Sequence, residues 1–156
     1  MQDHHALVGM LAGAAGGAVA IGIMEAFSTR AAIPLMAIPF ATSIVLVMGL
    51  PEVEAAQPRA LIGGHIVATI VGLIVVKIVG PELWAAALAV GLAIAAMHVT
   101  RTFHPPAGID PLLVVVNSMS WSFLLVPVAV GAVLLALFAF IWHLLVRRYS
   151  WPTRWW

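Results

Sequence analysis

The sequence has no cysteine, a single tyrosine and only 8% charged residues. Without cysteine there is no disulfide, no thiolate nucleophile and no cysteine-based metal site, and the redox compartment cannot be read. A soluble domain carries roughly 25% charged residues, so a chain this poor in charge is not built to face water. The formal net charge is +1. No basic run is interleaved with aromatics, so no nucleic-acid partner is expected. No His-Glu-x-x-His occurs, and Ser118 and Ser120 have no evident base partner, so the chain does not read as an enzyme. There is no short His-x-x-x-His and no carboxylate cluster within an apolar run, and no cofactor is expected. The first apolar run lacks a basic lead-in, which argues against a cleaved signal peptide.

What the sequence does hold is apolar surface. Its residues are 63% hydrophobic and its mean hydropathy is +1.12. That is the composition of an all-α polytopic membrane protein. At 156 residues, the expectation is one transmembrane domain over 1–156, with no extramembrane domain beside it. Four runs reach the length of a membrane-crossing helix, 6–27, 59–79, 82–99 and 121–146, against the roughly 20 residues needed. In the first, Gly9, Gly13 and Gly17 share a helical face, which invites close packing by another helix. Glu25 and Arg30 read as an interfacial pair, and His98 as an interfacial residue. The tail 147–156 mixes arginine with tryptophan, as a cytoplasmic-side interfacial anchor does.

Two apolar segments between these runs are broken by proline. One spans 31–50, with Pro34 and Pro39 followed by Thr42 and Ser43. The other is Thr102-Phe-His-Pro-Pro-Ala-Gly-Ile-Asp-Pro111 and the short apolar run after it. Proline removes a backbone donor and interrupts a helix. In a bilayer, such backbone survives only where protein buries it or where it lines a watery cavity. The broken segments therefore belong at the working centre. Long run, broken segment, long run describes both 6–79 and 82–146, an internal repeat. The expected architecture is four full spans plus two broken segments, which either re-enter or cross as half-helices. Both termini then share a side. With four spans Lys77 joins the tail arginines; with six elements Arg59 and Arg101 do. The bias of Lys and Arg toward the cytoplasm places both termini inside.

Thr102-Phe-His-Pro-Pro-Ala-Gly108 resembles the signature of the HPP family of integral membrane proteins. Ile38-Pro-Phe-Ala-Thr-Ser43, Ala56-Gln-Pro-Arg59 and Ile62-Gly-Gly-His65 fit the family pattern in order. The match covers nearly the whole chain. The resemblance implies a membrane domain usually described as four-spanning, and nitrite transport, the activity associated with chloroplast and cyanobacterial members. Three positions depart from the pattern. Ala41-Thr42 stands where the family often has Gly-Ala, Ala60 where it often has Asn, and Ile109-Asp110-Pro111 where it often continues with small residues. Asp110 sets a negative charge beside the presumed anion site.

The expected function is transport of a small inorganic anion such as nitrite across the bacterial inner membrane. The expected substrate-binding set is Pro39, Thr42, Ser43, His65, His104, Pro105, Pro106, Ala107 and Gly108. Half-helix N-termini after Pro39 and Pro105 would offer free N–H groups to an anion. His65 and His104 would donate hydrogen bonds and gain charge on protonation. Arg59, Arg101, Gln57 and Asp110 are expected at the entrance, where arginine attracts anions. Asp110 paired with Arg101 or His104 would instead neutralise the site and open a route to proton coupling. Each of the two histidines also has a plainer reading: His104 as a side chain constrained by the backbone geometry before Pro-Pro, and His65 behind Gly63-Gly64 as one bonded to a carbonyl of a neighbouring helix. The alternatives are a metal-ion transporter, in which His65, His98 and His104 meet, and a non-transporting membrane anchor or assembly protein. The lipid bilayer is the expected partner, and the glycine faces make a homo-oligomer plausible.

Overall fold

Proline and glycine set where the helices of this chain begin, end and touch. The computed structural model describes residues 2–31 and 37–155, with side chains for 6–30 and 37–155. Pro34 and its expected break lie outside the described residues. Among the described residues six helices follow in order: α1 (Gln2–Ala31), α2 (Ile38–Gly49), α3 (Pro58–Val79), α4 (Leu83–Val99), α5 (Ile109–Val116) and α6 (Trp121–Arg147). A tight helical turn at Glu54–Ala56 precedes α3, and another at Pro105–Gly108 runs into α5. No strand occurs among the described residues.

Pro58 opens α3, where its missing N–H would find no intrahelical partner anyway. Gly80 closes the same helix with φ +96°, a backbone setting that L side chains resist. Within α6, Val126 leaves helical geometry just before Pro127, so the helix bends where proline removes a donor. Among the described residues, three stretches are long and apolar enough to cross a membrane: Ala6–Arg30, Pro58–Val79 and Trp121–Arg147. The run expected to form the remaining span gives α4, only 17 residues long. At 1.5 Å per residue it reaches about 25 Å, short of a hydrocarbon core of roughly 30 Å. The two proline-broken segments form shorter helices still, at Ile38–Gly49 and Pro105–Val116.

Contacts between the helices fix their relative directions. Gly13 of α1 lies against Met48 of α2, and Gly17 against Ile44, so α2 runs back along α1. Gly64 of α3 lies against His104, and Gly72 against Pro111, so the second broken segment runs alongside α3 in the same direction. Arg147, at the end of α6, donates to the Met48 carbonyl at 2.9 Å, and Arg59 at the start of α3 donates to the Thr100 carbonyl at 3.2 Å. One end of the bundle therefore gathers the start of α1, the ends of α2, α4 and α6, and the start of α3. The tail returns to this same end. Gln57 Oε1 accepts from the backbone N–H of Thr153 at 2.9 Å and of Arg154 at 3.3 Å. Trp151 is buried with Ala56 and Leu61. The tail expected as an interfacial anchor is thus packed into the bundle at Trp151, while Trp155 stays exposed.

Candidate functional site

The site is built where α2, α3 and the second broken segment meet. Two glycines of α3 permit the approach. A Cβ on Gly64 would stand 2.6 Å from His104 Cβ and 2.8 Å from the Thr102 carbonyl oxygen, and one on Gly72 would stand 2.7 Å from Pro111 Cα. Gly64, Ala68 and Gly72 repeat every fourth residue, a small-residue stripe on which a neighbouring backbone can rest. His65 and Thr69 follow one position later and so turn their side chains toward that same neighbour.

Five side chains close into one buried network. Ser43 Oγ lies 2.8 Å from Nε2 of His65 and 2.8 Å from Nε2 of His104. His65 Nδ1 lies 2.7 Å from Asp110 Oδ2, to which the Thr69 hydroxyl donates at 3.2 Å. At the other end His104 Nδ1–H donates to the Ala55 carbonyl at 2.6 Å. That direction is forced, because a carbonyl oxygen can only accept. Ser43, His65, Thr69, His104 and Asp110 are all buried. Asp110 Oδ1 is buried without a partner. The rings of His65 and His104 are 5.1 Å apart at their centroids, and Phe40 packs 4.8 Å from His65. A carboxylate at the centre of a membrane-spanning helix costs roughly 2.5–3.5 kcal/mol on insertion scales, so a buried Asp with a named partner in an apolar bundle is a candidate site residue. His65 stands seven residues into α3, about 10 Å from the helix start.

The expected site residues divide between this network and its surroundings. Ser43, His65, His104 and Asp110 are brought together. Asp110 sits at the centre of the network rather than at an entrance, and it bonds to α3 rather than to Arg101 or His104. Both ring nitrogens of His104 are occupied by Ser43 and Ala55, and both of His65 by Ser43 and Asp110. Ala107 packs against Ala68, Ala93 and Met97. Thr42 is exposed, and with Pro105 and Pro106 it lines an open groove between α2 and the Pro105–Gly108 turn. Pro39 is buried in the first turn of α2, and Gly108 opens α5. His98 stacks on Phe103 outside the network, with ring centroids 4.2 Å apart.

Arg59 and Arg101 do lie together, joined by Arg154 of the tail. With Glu54, Gln57 and Trp155 they line a polar cleft of about 270 Å³. Three arginines against one glutamate leave a surplus of two positive charges there. A neighbouring hollow of about 390 Å³ runs beside Arg101, Glu54 and His98 to Ala55, whose carbonyl holds His104. Gln57 faces the cleft but is fully used as a brace. Its amide donates to the Pro51 carbonyl at 2.7 Å and the Val53 carbonyl at 3.1 Å, while its oxygen holds the tail. Among the described residues no group of three or more His, Cys, Asp or Glu is arranged to hold a metal ion.

Two contributors went unread in the sequence. Thr69 is four residues after His65, a same-face spacing that could have flagged it. Ala55 contributes only a backbone carbonyl, which leaves no mark on residue type.

Apolar helices enclosing a buried hydrogen-bonded His–Ser–His–Asp chain, with arginines gathered at one end, define a polytopic helical membrane protein with a polar centre. The profile of the family described as HPP, transmembrane region, matches residues 2–152, and the chain belongs to that family. It is 41% identical over 125 residues to a transmembrane protein of Dictyostelium discoideum, a match covering 75% of this chain and 40% of that protein. A second transmembrane protein of the same organism is 37% identical over 125 residues, covering 75% of this chain and 44% of its own length. The chain thus spans about two-fifths of the length of these relatives. No solved structure matches it.

Proposed function

We propose that this protein moves a small inorganic anion, nitrite or one of similar size and charge, across the membrane. The observation that carries the reading is the cleft in which Arg59, Arg101 and Arg154 converge at one end of the bundle, with the His104–Ala55 bond behind it. Guanidinium groups raise the local anion concentration through the field they focus in a cleft. The polar network behind them supplies groups that can exchange hydrogen bonds with a dehydrated anion at moderate strength. Helix directions support six crossing elements, with both broken segments passing from one side to the other. By the cytoplasmic bias of arginine, the cleft and both termini face the cytoplasm.

The test is nitrite uptake into liposomes holding the purified protein, with empty liposomes alongside and several pH values to subtract diffusion of neutral nitrous acid. Flux above the empty control is expected. The Arg59→Ala, Arg101→Ala double variant is expected to raise the half-saturating concentration several-fold and to flatten its dependence on salt, since screened surface charge governs the encounter. No flux from correctly inserted protein would sink the reading.

A further inference from the structure

The hydrogen-bonded chain from Ala55 to Asp110 has a property that a static polar core does not need. Four protons suffice to make every bond between Ala55, His104, Ser43, His65 and Asp110 Oδ2, and they can do so in more than one way. In one arrangement His104 is neutral with its proton on Nδ1, and Ser43 donates to His104 Nε2. His65 Nε2–H then donates to Ser43, and Asp110 is a carboxylic acid donating from Oδ2 to His65 Nδ1. In another, Asp110 is a carboxylate accepting from His65 Nδ1–H. Ser43 donates to His65 Nε2, and His104 is an imidazolium donating from Nε2 to Ser43 while keeping Nδ1–H on Ala55. The same four protons are present in both, and each connection in the chain is satisfied in both. Passing between them shifts three protons by one hydrogen bond each: Asp110 Oδ2 to His65 Nδ1, His65 Nε2 to Ser43 Oγ, and Ser43 Oγ to His104 Nε2. No bond between heavy atoms changes, and the net movement is one positive charge from Asp110 to His104.

We propose that Ser43, His65, His104 and Asp110 form a proton relay that carries protons together with the transported anion. This rests on the anion reading given above and names its coupling ion. One end of the relay, His104, abuts the arginine end through Ala55, which borders the hollow beside Arg101. The other end, Asp110, keeps a buried oxygen, Oδ1, without a partner. A proton or a proton-bearing ligand finds a free lone pair there. The groups facing the relay are few. From α2 there is Ser43, beside the apolar ring of Phe40; from α3, His65 and Thr69; from the second broken segment, His104 and Asp110. Neither α2 nor α4 contains an Asp, Glu, Lys or Arg, and the charged residues of α3, Arg59 and Lys77, sit near its two ends. On α6, His143 donates from Nε2 to the Val47 carbonyl at 3.0 Å and stands outside the chain of bonds. From the Glu54–Ala56 turn, Ala55 contributes its carbonyl, and Glu54, with Arg101 and His98, borders the hollow on the far side of it. Counting its own groups, the four-proton network is neutral overall. A fifth proton gives it one positive charge, which a monovalent anion cancels, so the pair crosses without net charge.

The test uses purified full-length protein in liposomes with a pH-sensitive dye inside, the membrane potential clamped by potassium and valinomycin, and internal nitrite assayed in parallel. An inward nitrite gradient is expected to acidify the lumen beyond the empty-liposome control. Ser43→Ala and Asp110→Asn are expected to slow that acidification by about a hundredfold or more, in the range for loss of a positioned proton-transfer group. Ser43→Thr, which keeps a hydroxyl, is expected to restore it, and Ser122→Ala, which removes an exposed hydroxyl elsewhere, to leave it unchanged. The infrared carbonyl band of a buried carboxylic acid is expected in the wild type and absent in Asp110→Asn. Wild-type nitrite uptake without acidification above the control would overturn the relay while leaving anion transport standing. So would a Ser43→Ala variant that acidifies at the wild-type rate. Dissipation of an imposed pH gradient by the wild type but not by Ser43→Ala, without nitrite uptake, would support the relay and overturn the anion reading. Movement of neither from correctly inserted protein would overturn both.

Discussion

His65 Nδ1 and Asp110 Oδ2 stand 2.7 Å apart with neither side chain exposed, although 45 positions separate them in the chain. Each is the other's main means of satisfying a polar atom away from water. Truncating one strands its partner, whereas an amide of the same shape keeps a bond. Asp110→Ala is expected to lower stability by about 1–3 kcal/mol, the range for an unsatisfied buried polar group. Asp110→Asn is expected to lose much less. Thermal unfolding in detergent separates the two, and equal midpoints for both variants and the wild type would show that the pair adds nothing to the fold.

Close approach at Gly64 gives a second expectation. A methyl group there meets His104 Cβ and the Thr102 carbonyl at 2.6 and 2.8 Å. Backbone cannot move aside as a flexible side chain would. Gly64→Ala is therefore expected to destabilise by about 1–3 kcal/mol through overpacking. Gly22, with nothing within 4 Å of its Cβ position, serves as the control. Gly22→Ala is expected to be neutral or slightly stabilising, because Ala is the better helix former. If the two variants unfold at the same temperature, α3 and the His104 segment do not pack as described.

The tail offers a third test. Gln57 Oε1 is the shared acceptor of the Thr153 and Arg154 N–H groups. Gln57→Ala removes it and also withdraws a donor from the Pro51 and Val53 carbonyls. Faster tryptic cleavage at Arg148 and Arg154 is expected, with faster hydrogen exchange at Thr153. Unchanged cleavage would mean that Trp151 alone holds the tail.

Topology can be tested because the chain has no cysteine of its own. Trp84, near the start of α4, and Arg148, just after α6, belong to opposite ends of the bundle and are both exposed or partly exposed. Single variants Trp84→Cys and Arg148→Cys in sealed right-side-out vesicles are expected to differ. A membrane-impermeant maleimide should reach the first and not the second. Labelling of both from one side would favour four spans, with the broken segments returning to the side they left.

Composition, run length and proline placement determined the class and the helices. Apolar runs and missing N–H groups act locally, so the membrane character, the proline-broken character of the segments holding Pro39 and Pro105, and a third run starting within one residue of Pro58 were legible. So were His65 and His104, since a polar side chain in an apolar run stands out. What the sequence did not reveal was which polar group meets which. Asp110 was read beside Arg101 or His104, yet it bonds to His65. Ser43 bridges two histidines, Ala55 acts through its carbonyl, and Gln57 braces a tail nearly a hundred residues away. Those pairings depend on the register of one helix against another. That register is set by close contacts such as Gly64 on His104 and Gly72 on Pro111, and packing distances of this kind exist only once the chain has folded.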